Sequence, residues 1–489
     1  CPDCYHSTDD VLGWLREASA AAPRYVTYEA FAGDAADAAL ERTMPVVTLT
    51  DTSAPAAGKE RVLMVFGEHS REVITSEVAL WFVRAMLDAV GVDTGALGAG
   101  REAPLSRWAE FGPALDVFAG TQGLSAETVA AAAAGGAKAA WGAAIRRALL
   151  GAEIVIVPVE NAAGRRDIEG GRLCDRVVRA TGVDLNRNWP YMWKRSPSAR
   201  RSETYGGPEP LSEFESRAVL ALARRFAPLR SYVNVHSGEW ALYVPWDHKS
   251  ALAAPTDGLA GDAMDVLHAM NRFCRCKAGA AGAVSGYLAF GTSMDYMFTE
   301  MRVPYPITVE VFGDHNEGRT YAKRGADAVP TTGDHARSLA SFDFLRPGRG
   351  SSVGSGRRCY TMFNPLSQAE YRGAVMDWVA ALMVLVDRMA ADGAAGAAEA
   401  TAGGASVDEE AMAQRSERAA ALAADNESAL RSEYASLASR ARASVASAGG
   451  DGASEIAAAQ SSVMSSTSIA TAPMVVAFGM CVLGAFCAL

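Results

Sequence analysis

Residues 61–90 read RVLMVFGEHSREVITSEVALWFVRAMLDAV, a strand pattern that runs through a short loop into a helix pattern. The first six residues form an apolar run that ends at Gly67, which predicts a buried strand. From residue 75 to residue 90, apolar side chains recur at helical spacing and predict a helix. Because α/β enzymes place their chemistry where a strand runs into a loop and a helix, this junction is the first candidate for a functional site.

Strand and helix patterns continue to alternate along the chain. Strand patterns occur at 153–159, 231–235 and 307–312, and helix patterns occur at 9–20, 212–225, 262–273 and 367–390. This alternation predicts an α/β fold with a central mixed, mostly parallel sheet flanked by helices on both faces. Residues 92–150 are rich in Ala and Gly, and we expect an insertion on the surface that is helical from about 125 to 150.

Composition excludes some classes of protein. The chain has 489 residues and a formal net charge of −10. An acidic chain is a poor nucleic-acid binder, because neutralising phosphates requires a basic surface. Hydrophobic residues make up 49% of the chain, which is enough for a sizeable core and argues against a disordered protein.

The chain falls into three segments of different composition. We expect one large domain at 5–390, followed at 391–470 by an Ala/Gly/Ser-rich linker with a helical stalk as one option. Residues 471–489 form a hydrophobic tail after a Ser-rich spacer, an order typical of a GPI-attachment signal. A retained transmembrane anchor and a buried or unrelated terminus are the alternatives. We therefore expect membrane attachment through the tail or a GPI anchor.

The cysteines bear on the cellular compartment. Eight cysteines are too few for a disulfide-built scaffold in a chain of this length. The first six form disulfides in an oxidising compartment or remain free buried thiols. The chain begins at Cys1, as a chain numbered after signal-peptide removal would, or as a fragment would. These features predict the secretory pathway, with an extracellular or cell-surface protein.

Two short motifs at predicted strand ends offer metal ligands. In HSRE, His69 and Glu72 lie three residues apart just after the first strand, and an imidazole and a carboxylate at that spacing can share a zinc ion. His236 in NVHSGEW follows another strand and can supply the third ligand. An ordinary strand-end histidine is the alternative.

Three further motifs carry residues suited to catalysis or binding. VDLNRNWP places Asn186 beside Arg187, whose guanidinium can fork onto a carboxylate. ITVEVFGD places Glu310 within an apolar run, where an unpaired charge is costly and therefore indicates a site residue. Tyr287 lies in the Gly-rich stretch SGYLAFGTSMDY, which predicts a mobile loop, with a packing aromatic as the alternative.

Together these motifs resemble those of the zinc metallocarboxypeptidases, the carboxypeptidase A-like family. HSRE is similar to the family's zinc motif, VHSG to its third-ligand motif, VDLNRNW to its carboxylate-binding motif and TVEVFGD to its catalytic-glutamate strand. Their order and spacing agree from about Tyr5 to Ala390. The phrases GYLAFGTSMDY and CYTMFNP are most similar to the plant and algal branch.

The resemblance implies one zinc ion per chain, bound by His69, Glu72 and His236 with water in the open fourth position. Glu310 would be the general base that deprotonates this water and then the acid that protonates the leaving amine. The implied reaction is hydrolysis of the C-terminal peptide bond of a peptide or protein.

The resemblance also implies the groups that bind substrate. Arg187 with Asn186 would hold the terminal carboxylate, and Tyr287 would cap the substrate. The arginine that steadies the oxyanion comes from GRLCDRVVRATG, where Arg172, Arg176 and Arg179 are available and we favour Arg176. The preceding turn reads NAAG where the family has an NPDG-like turn, which is a departure from the family pattern.

Two positions bear on specificity. Met294 corresponds to the pocket-floor residue, and a neutral apolar side chain there favours apolar or aromatic C-terminal residues. Arg71, inside HSRE, contacts substrate further along or is a plain surface arginine. Two other functions stay open: an N-acyl amino acid deacylase of the same superfamily, and a catalytically inactive, membrane-tethered binding module.

Overall fold

A mixed sheet of eight strands lies at the centre of the protein, seen in a computed structural model that describes residues 4–33, 37, 42–97, 112–195, 202–313 and 360–402. The strands are β1 (Val26–Phe31), β2 (Met44–Leu49), β3 (Glu60–Phe66), β4 (Ala152–Val157), β5 (Ser231–His236), β6 (Trp240–Val244), β7 (Lys277–Ala280) and β8 (Tyr305–Val311). Their order is β1-β2-β4-β3-β5-β8-β6-β7. The pairs β3–β4, β3–β5, β5–β8 and β6–β7 are parallel, and β1–β2, β2–β4 and β6–β8 are antiparallel. The predicted α/β class with a mixed sheet is confirmed.

Helices pack against this sheet. They are α1 (Thr8–Ala21), α2 (Val73–Ala89), α3 (Gly112–Ala119), α4 (Ala126–Gly151), α5 (Ala162–Glu169), α6 (Phe214–Arg225), α7 (Ala263–Cys274), α8 (Ala281–Val284), α9 (Ser293–Thr299) and α10 (Gln368–Ala402). Short 3₁₀ turns lie at Thr94–Ala96, Leu185–Arg187 and Pro255–Asp257. None of these helices has both the length and the apolarity needed to cross a bilayer.

Two hydrophobic clusters, one on each face, hold the sheet between helices. Because successive side chains of a strand point to opposite faces, Val62 and Met64 of β3 join one cluster while Leu63 and Val65 join the other. The first cluster includes side chains of α1, α2, α4, α7 and α10, and the second includes side chains of α6 and α9. Helices therefore cover both faces, as expected.

The predicted strands are the central ones. The apolar runs at 61–66, 153–159, 231–235 and 307–312 correspond to β3, β4, β5 and β8, which are neighbours in the sheet. Strands buried on both faces read as continuous apolar runs, so they are visible in the sequence. The outer strands were not predicted. In β1, only Val26 of VTYEAF is buried, which leaves no such run.

The expectation of a surface insertion at 92–150 is wrong for its second half. Helix α4 begins after Ser125, whose side chain accepts a hydrogen bond from the Thr128 amide. Trp141 and Ile145 are buried in the main core, and Arg147 pairs with Asp387 of α10 at 2.9 Å. This half of α4 is therefore part of the domain core.

The boundaries of the expected segments are only partly visible. The chain divides into two compact units, Cys1–Asp408 and Glu409–Leu489, and every described residue lies in the first. Helix α10 continues to Ala402, past the expected end of the domain at 390. The rest of the expected linker and stalk and the tail at 471–489 lie outside the described residues.

The four cysteines in the described part of the chain are disulfide-bonded. Cys274 and Cys276, at the end of α7, form a disulfide with each other. Cys4 and Cys174 are also disulfide-bonded. Cys1, Cys359, Cys481 and Cys487 lie outside the described residues.

The sheet order brings three segments that carry candidate site residues together at the carboxyl ends of the central strands. Strands β3, β5 and β8 are adjacent and parallel, so their carboxyl ends face the same way. The HSRE loop follows β3, His236 is the last residue of β5, and Glu310 of β8 stands in register with His236. The fold therefore gathers residues that are far apart in the chain.

Candidate functional site

A buried cluster of two imidazoles and one carboxylate lies at this edge. The Nδ1 atom of His69 is 2.8 Å from Oε1 of Glu72, and Nδ1 of His236 is 3.1 Å from Oε2 of Glu72. The two Nδ1 atoms are 3.1 Å apart. Zinc binds imidazole nitrogens at about 2.0–2.1 Å, so two ligands of a tetrahedral ion lie roughly 3.3 Å apart. The spacing in the cluster therefore suits a single ion.

The opposite nitrogen of each imidazole faces another carboxylate. Nε2 of His69 is 3.0 Å from Oδ1 of Asp184, and Nε2 of His236 is 3.0 Å from Oε2 of Glu68. Histidines that bind metals donate their second N–H to such an acceptor, which fixes the orientation of the ring. The rings are therefore held with both Nδ1 atoms turned toward Glu72.

Glu68 is a second candidate for the carboxylate ligand. Ligand atoms of Glu68, His69 and His236 lie within 4.8 Å of one another, and all three residues are buried. Glu68, however, contacts His236 through Nε2, on the far side of the ring from Nδ1. Glu72 contacts the Nδ1 atoms of both rings, so the geometry favours Glu72.

The electrostatics of the cluster suit a cation. Burial alone would disfavour the charged form of Glu72, but the charges and hydrogen bonds of His69 and His236 hold its pKa well below the usual value. Burial likewise lowers the pKa of His236, yet Glu68 and Glu72 together raise it well above the usual value. These carboxylates thus stabilise positive charge at a position that water barely reaches.

Glu310 borders the cluster from the neighbouring strand. It stands opposite His236 in the β5–β8 ladder, and its Oε2 accepts a hydrogen bond from the Glu239 amide at 3.4 Å. Burial, together with the charges of Glu72 and Glu239, raises the pKa of Glu310 to about 8, although His236 acts in the opposite direction. A carboxyl group with a pKa near neutrality can both accept and donate a proton.

Asn186 and Arg187 lie in a 3₁₀ turn next to the cluster. The Asp184 carboxylate caps this turn by accepting a hydrogen bond from the Asn186 amide. Nδ2 of Asn186 is 3.4 Å from Nε2 of His236, and Nη1 of Arg187 donates to the Asn186 carbonyl at 2.7 Å. No carboxylate in the described part of the chain forms an ion pair with Arg187, which leaves most of its guanidinium donors available.

Of the three arginines considered for the oxyanion, one lies beside the cluster. Arg176 forms a partly buried ion pair with Asp184, and the negative charge of Glu72 also acts on it. Burial lowers the pKa of Arg176, but these carboxylates more than compensate and raise it. Arg172 pairs with Asp175, and Arg179 pairs with Asp167. About half of each arginine side chain is exposed.

The remaining predicted residues are spread around the site. Tyr287 is exposed (56%) on the loop before α9, within electrostatic reach of Arg187 and Glu310. Met294 is buried against Tyr243, with its sulfur 3.4 Å from Oγ1 of Thr308.

Arg71 is not a plain surface arginine. Only 8% of it is exposed, and its guanidinium binds both carboxylate oxygens of Glu203 at 2.9 and 3.0 Å. It also donates to the Cys174 carbonyl and lies over the ring of Phe363. The alternative that placed it free on the surface is therefore wrong, and its terminal nitrogens already have partners.

Sequence reasoning missed three carboxylates around the site: Glu68, Asp184 and Glu239. Glu68 and Asp184 each stand inside or beside a motif that was recognised, as GEHSRE and VDLNRN show. An acidic residue directly after an apolar strand was a usable signal for Glu68. Glu239, whose carboxylate accepts a hydrogen bond from Tyr243, gave no comparable signal.

Comparison with known proteins identifies similar chains. A family model described as zinc carboxypeptidase matches residues 11–96 and 142–325, more than half of the chain. Carboxypeptidase B of Astacus astacus is 32% identical over 148 residues, which cover 29% of this chain and 48% of that protein. Carboxypeptidase A6 of Homo sapiens is 29% identical over 138 residues, which cover 27% of this chain and 31% of that protein. The chain thus spans less than half the length of these curated relatives.

A solved structure supports this fold. The crystal structure of thrombin activatable fibrinolysis inhibitor matches with a TM-score of 0.50 and 18% sequence identity, covering 80% of this chain and 75% of that one. Residues 97–141, between the two parts that the family model matches, fall within the stretch that the sequence marked as an insertion.

Proposed function

We propose that this chain, which belongs to the zinc carboxypeptidase family, is a metallocarboxypeptidase that hydrolyses the C-terminal peptide bond of peptides or proteins. One observation carries the proposal: a buried cluster of imidazoles and a carboxylate lies beside Glu310 and beside Arg187, a cation that pairs with no carboxylate among the described residues. Such a site can activate water and anchor a substrate carboxylate in the same cleft.

The cofactor is one zinc ion per chain, as in the family, and the cluster offers it ligands of the right chemistry. We assign His69 and His236, through Nδ1, and the carboxylate of Glu72 as the groups that would hold it. Bound there, zinc supplies Lewis acidity and lowers the pKa of a water molecule. Asp184 keeps the imidazole of His69 turned toward it.

Glu310 is the proposed general base and acid. Its carboxylate takes a proton from the attacking water as the oxygen adds to the scissile carbonyl carbon. The same proton then passes to the amide nitrogen as the C–N bond breaks, which releases a neutral amine and a carboxylic acid. The acid then loses its remaining proton to solvent and leaves as a carboxylate. The raised pKa of Glu310, about 8, supports both roles.

Cationic and polar side chains are proposed to contact the substrate on either side of the scissile bond. Arg187 and the Asn186 amide are proposed to hold the terminal carboxylate, which restricts the enzyme to the last residue of a chain. Arg176, fixed by Asp184, is proposed to stabilise the negative charge that develops on the carbonyl oxygen. Tyr287, on its exposed loop, is proposed to cap the substrate.

Met294 supports a preference for apolar or aromatic C-terminal residues. It packs with Ala241, Tyr243 and Ala281 and presents no charge for a basic side chain. Arg71 is assigned a supporting role around the site, because Glu203 and a backbone carbonyl occupy its terminal nitrogens.

The location and lineage of the protein are further proposals. The paired cysteines support an oxidising compartment, and we propose an extracellular or cell-surface protein of the secretory pathway. Attachment to a membrane through residues 471–489 and membership of the plant and algal branch remain predictions from the sequence.

Metal analysis combined with a hydrolysis assay tests the function. The purified chain should contain one zinc and release Phe from an N-blocked peptide that ends in Phe, and Glu310→Gln should abolish turnover while retaining zinc. Faster cleavage of N-acetyl-Phe than of the peptide would favour the deacylase. Stoichiometric zinc without any hydrolysis would favour the inactive binding module and would overturn the enzyme proposal.

A further inference from the structure

Glu68 directly precedes the proposed ligand His69, two residues after β3 ends at Phe66, and it is buried (2% exposed). Its Oε2 atom is 3.0 Å from Nε2 of His236 and accepts a hydrogen bond from Nδ2 of Asn234 at 2.8 Å. Asn234, itself fully buried in β5, also donates to Oγ of Ser293 at 3.0 Å. The hydrogen bond from Asn234 therefore holds the Glu68 carboxylate in position.

The chemistry of the imidazole makes this contact informative. A neutral imidazole has one nitrogen that carries hydrogen and one that has a free lone pair. If Nδ1 of His236 is to bind a metal, Nε2 must carry the hydrogen and needs an acceptor. The amide nitrogen of Asn186, 3.4 Å from Nε2, is itself a donor, so Glu68 is the acceptor.

We propose that Glu68 is a positioning residue of the metal site: it accepts the Nε2–H hydrogen bond of His236 and thereby presents Nδ1 to the ion. The inference rests on the proposed zinc site. Glu68 does for His236 what Asp184 does for His69. Because it contacts the ring on the side away from Glu72, Glu68 is not a ligand of the same ion.

Zinc affinity, measured on the full chain by competition with a chromophoric chelator, tests this role. Outer partners of metal-binding histidines typically contribute about 10- to 100-fold in affinity, so Glu68→Ala should weaken zinc binding by that factor. Glu68→Gln keeps an acceptor oxygen and should recover most of the loss, to within about fivefold of the unmodified chain.

Glu160→Gln is the matched control. Glu160 is a buried carboxyl group (5% exposed) within electrostatic reach of Glu68 and His236, and it makes no hydrogen bond to the ring. Burial and the charge of Glu68 raise the pKa of Glu160 well above its usual value, which favours its neutral form. We expect this variant to bind zinc within about threefold of the unmodified chain, since it leaves the Nε2–H acceptor in place. An equal loss in Glu160→Gln and Glu68→Ala would mean that altering any buried carboxyl group near the site weakens zinc binding, whether or not it contacts the ring, and would overturn the proposal.

Other outcomes are equally decisive. Unchanged affinity in Glu68→Ala would overturn the positioning role while leaving the proposed function intact. A loss beyond roughly 1,000-fold in both Glu68 variants, more than an outer partner contributes, would make Glu68 a direct ligand and also overturn it. If Glu68→Ala does not fold, Glu68→Gln decides. In zinc-loaded protein the Nε2–H resonance of His236 should shift between the unmodified chain and Glu68→Gln, because the acceptor changes from a carboxylate to an amide oxygen, and an unshifted resonance would overturn the proposal. Absence of zinc binding by the unmodified chain would remove the proposed function and this inference together.

Discussion

Replacement of Arg187 by Met tests whether this chain recognises the free C-terminal carboxylate of its substrate. Arg187 is half-buried in the 3₁₀ turn, and one nitrogen donates to the Asn186 carbonyl at 2.7 Å. A guanidinium has five N–H donors, so enough remain for a two-pronged contact with a carboxylate. Met has similar length and no charge, so it removes the contact with little change in packing.

The size of the effect follows from the hydrogen bonds lost. A hydrogen bond to a charged group contributes about 1.5–3 kcal/mol, and two such bonds amount to about 3–6 kcal/mol. This corresponds to a loss of roughly 10²- to 10⁴-fold in kcat/KM. Asn186 would still contact the substrate, so we expect the lower half of this range.

The assay compares two peptides that differ only in a free or an amidated C-terminus. The unmodified chain should prefer the free acid strongly, and Arg187→Met should lose that preference because its kcat/KM falls only for the acid. Arg179→Met is the control, since Arg179 is exposed and pairs with Asp167. An undiminished preference in Arg187→Met would refute the assignment of the carboxylate site.

Three further predictions concern pH, specificity and stability. Because Glu310 must be ionised to act as a base, kcat/KM should rise with pH on the acid side of the profile. The positive charge of zinc lowers the pKa of Glu310 from about 8, so this rise should occur below pH 8. A kcat/KM that falls with pH over this range would contradict the role of Glu310. Met294→Asp should shift the ratio of kcat/KM from C-terminal Phe toward C-terminal Arg, and an unchanged ratio would remove Met294 from the pocket. Trp141→Ala should lower the free energy of unfolding in urea by about 3–5 kcal/mol, because the ring is buried against Phe118. Val129→Ala, at an exposed position before the kink at Gly136 in α4, should change it by less than about 0.5 kcal/mol, and equal effects would contradict the core assignment.

The central strands were predictable for a physical reason. Strands β3, β4, β5 and β8 are buried on both faces and therefore show as continuous apolar runs. Edge strand β1 leaves most of its residues partly exposed, and its pairing with β2 stabilises it without leaving a sequence pattern. The Ala-rich composition of α4 led to the prediction of a surface segment. A few large side chains such as Trp141 nevertheless place its second half in the core.

The sequence by itself determined which residue types stand at the strand ends, namely His69, Glu72, His236 and Glu310, because strand patterns and motifs are local. Only the tertiary structure decided which atoms of these residues meet. The contacts of His69 with Asp184 and of Asn234 with Glu68 join residues 115 and 166 positions apart, and no local pattern encodes such distances. The orientation of each imidazole is set by hydrogen bonds of this kind, which exist only once the sheet has brought the strands together.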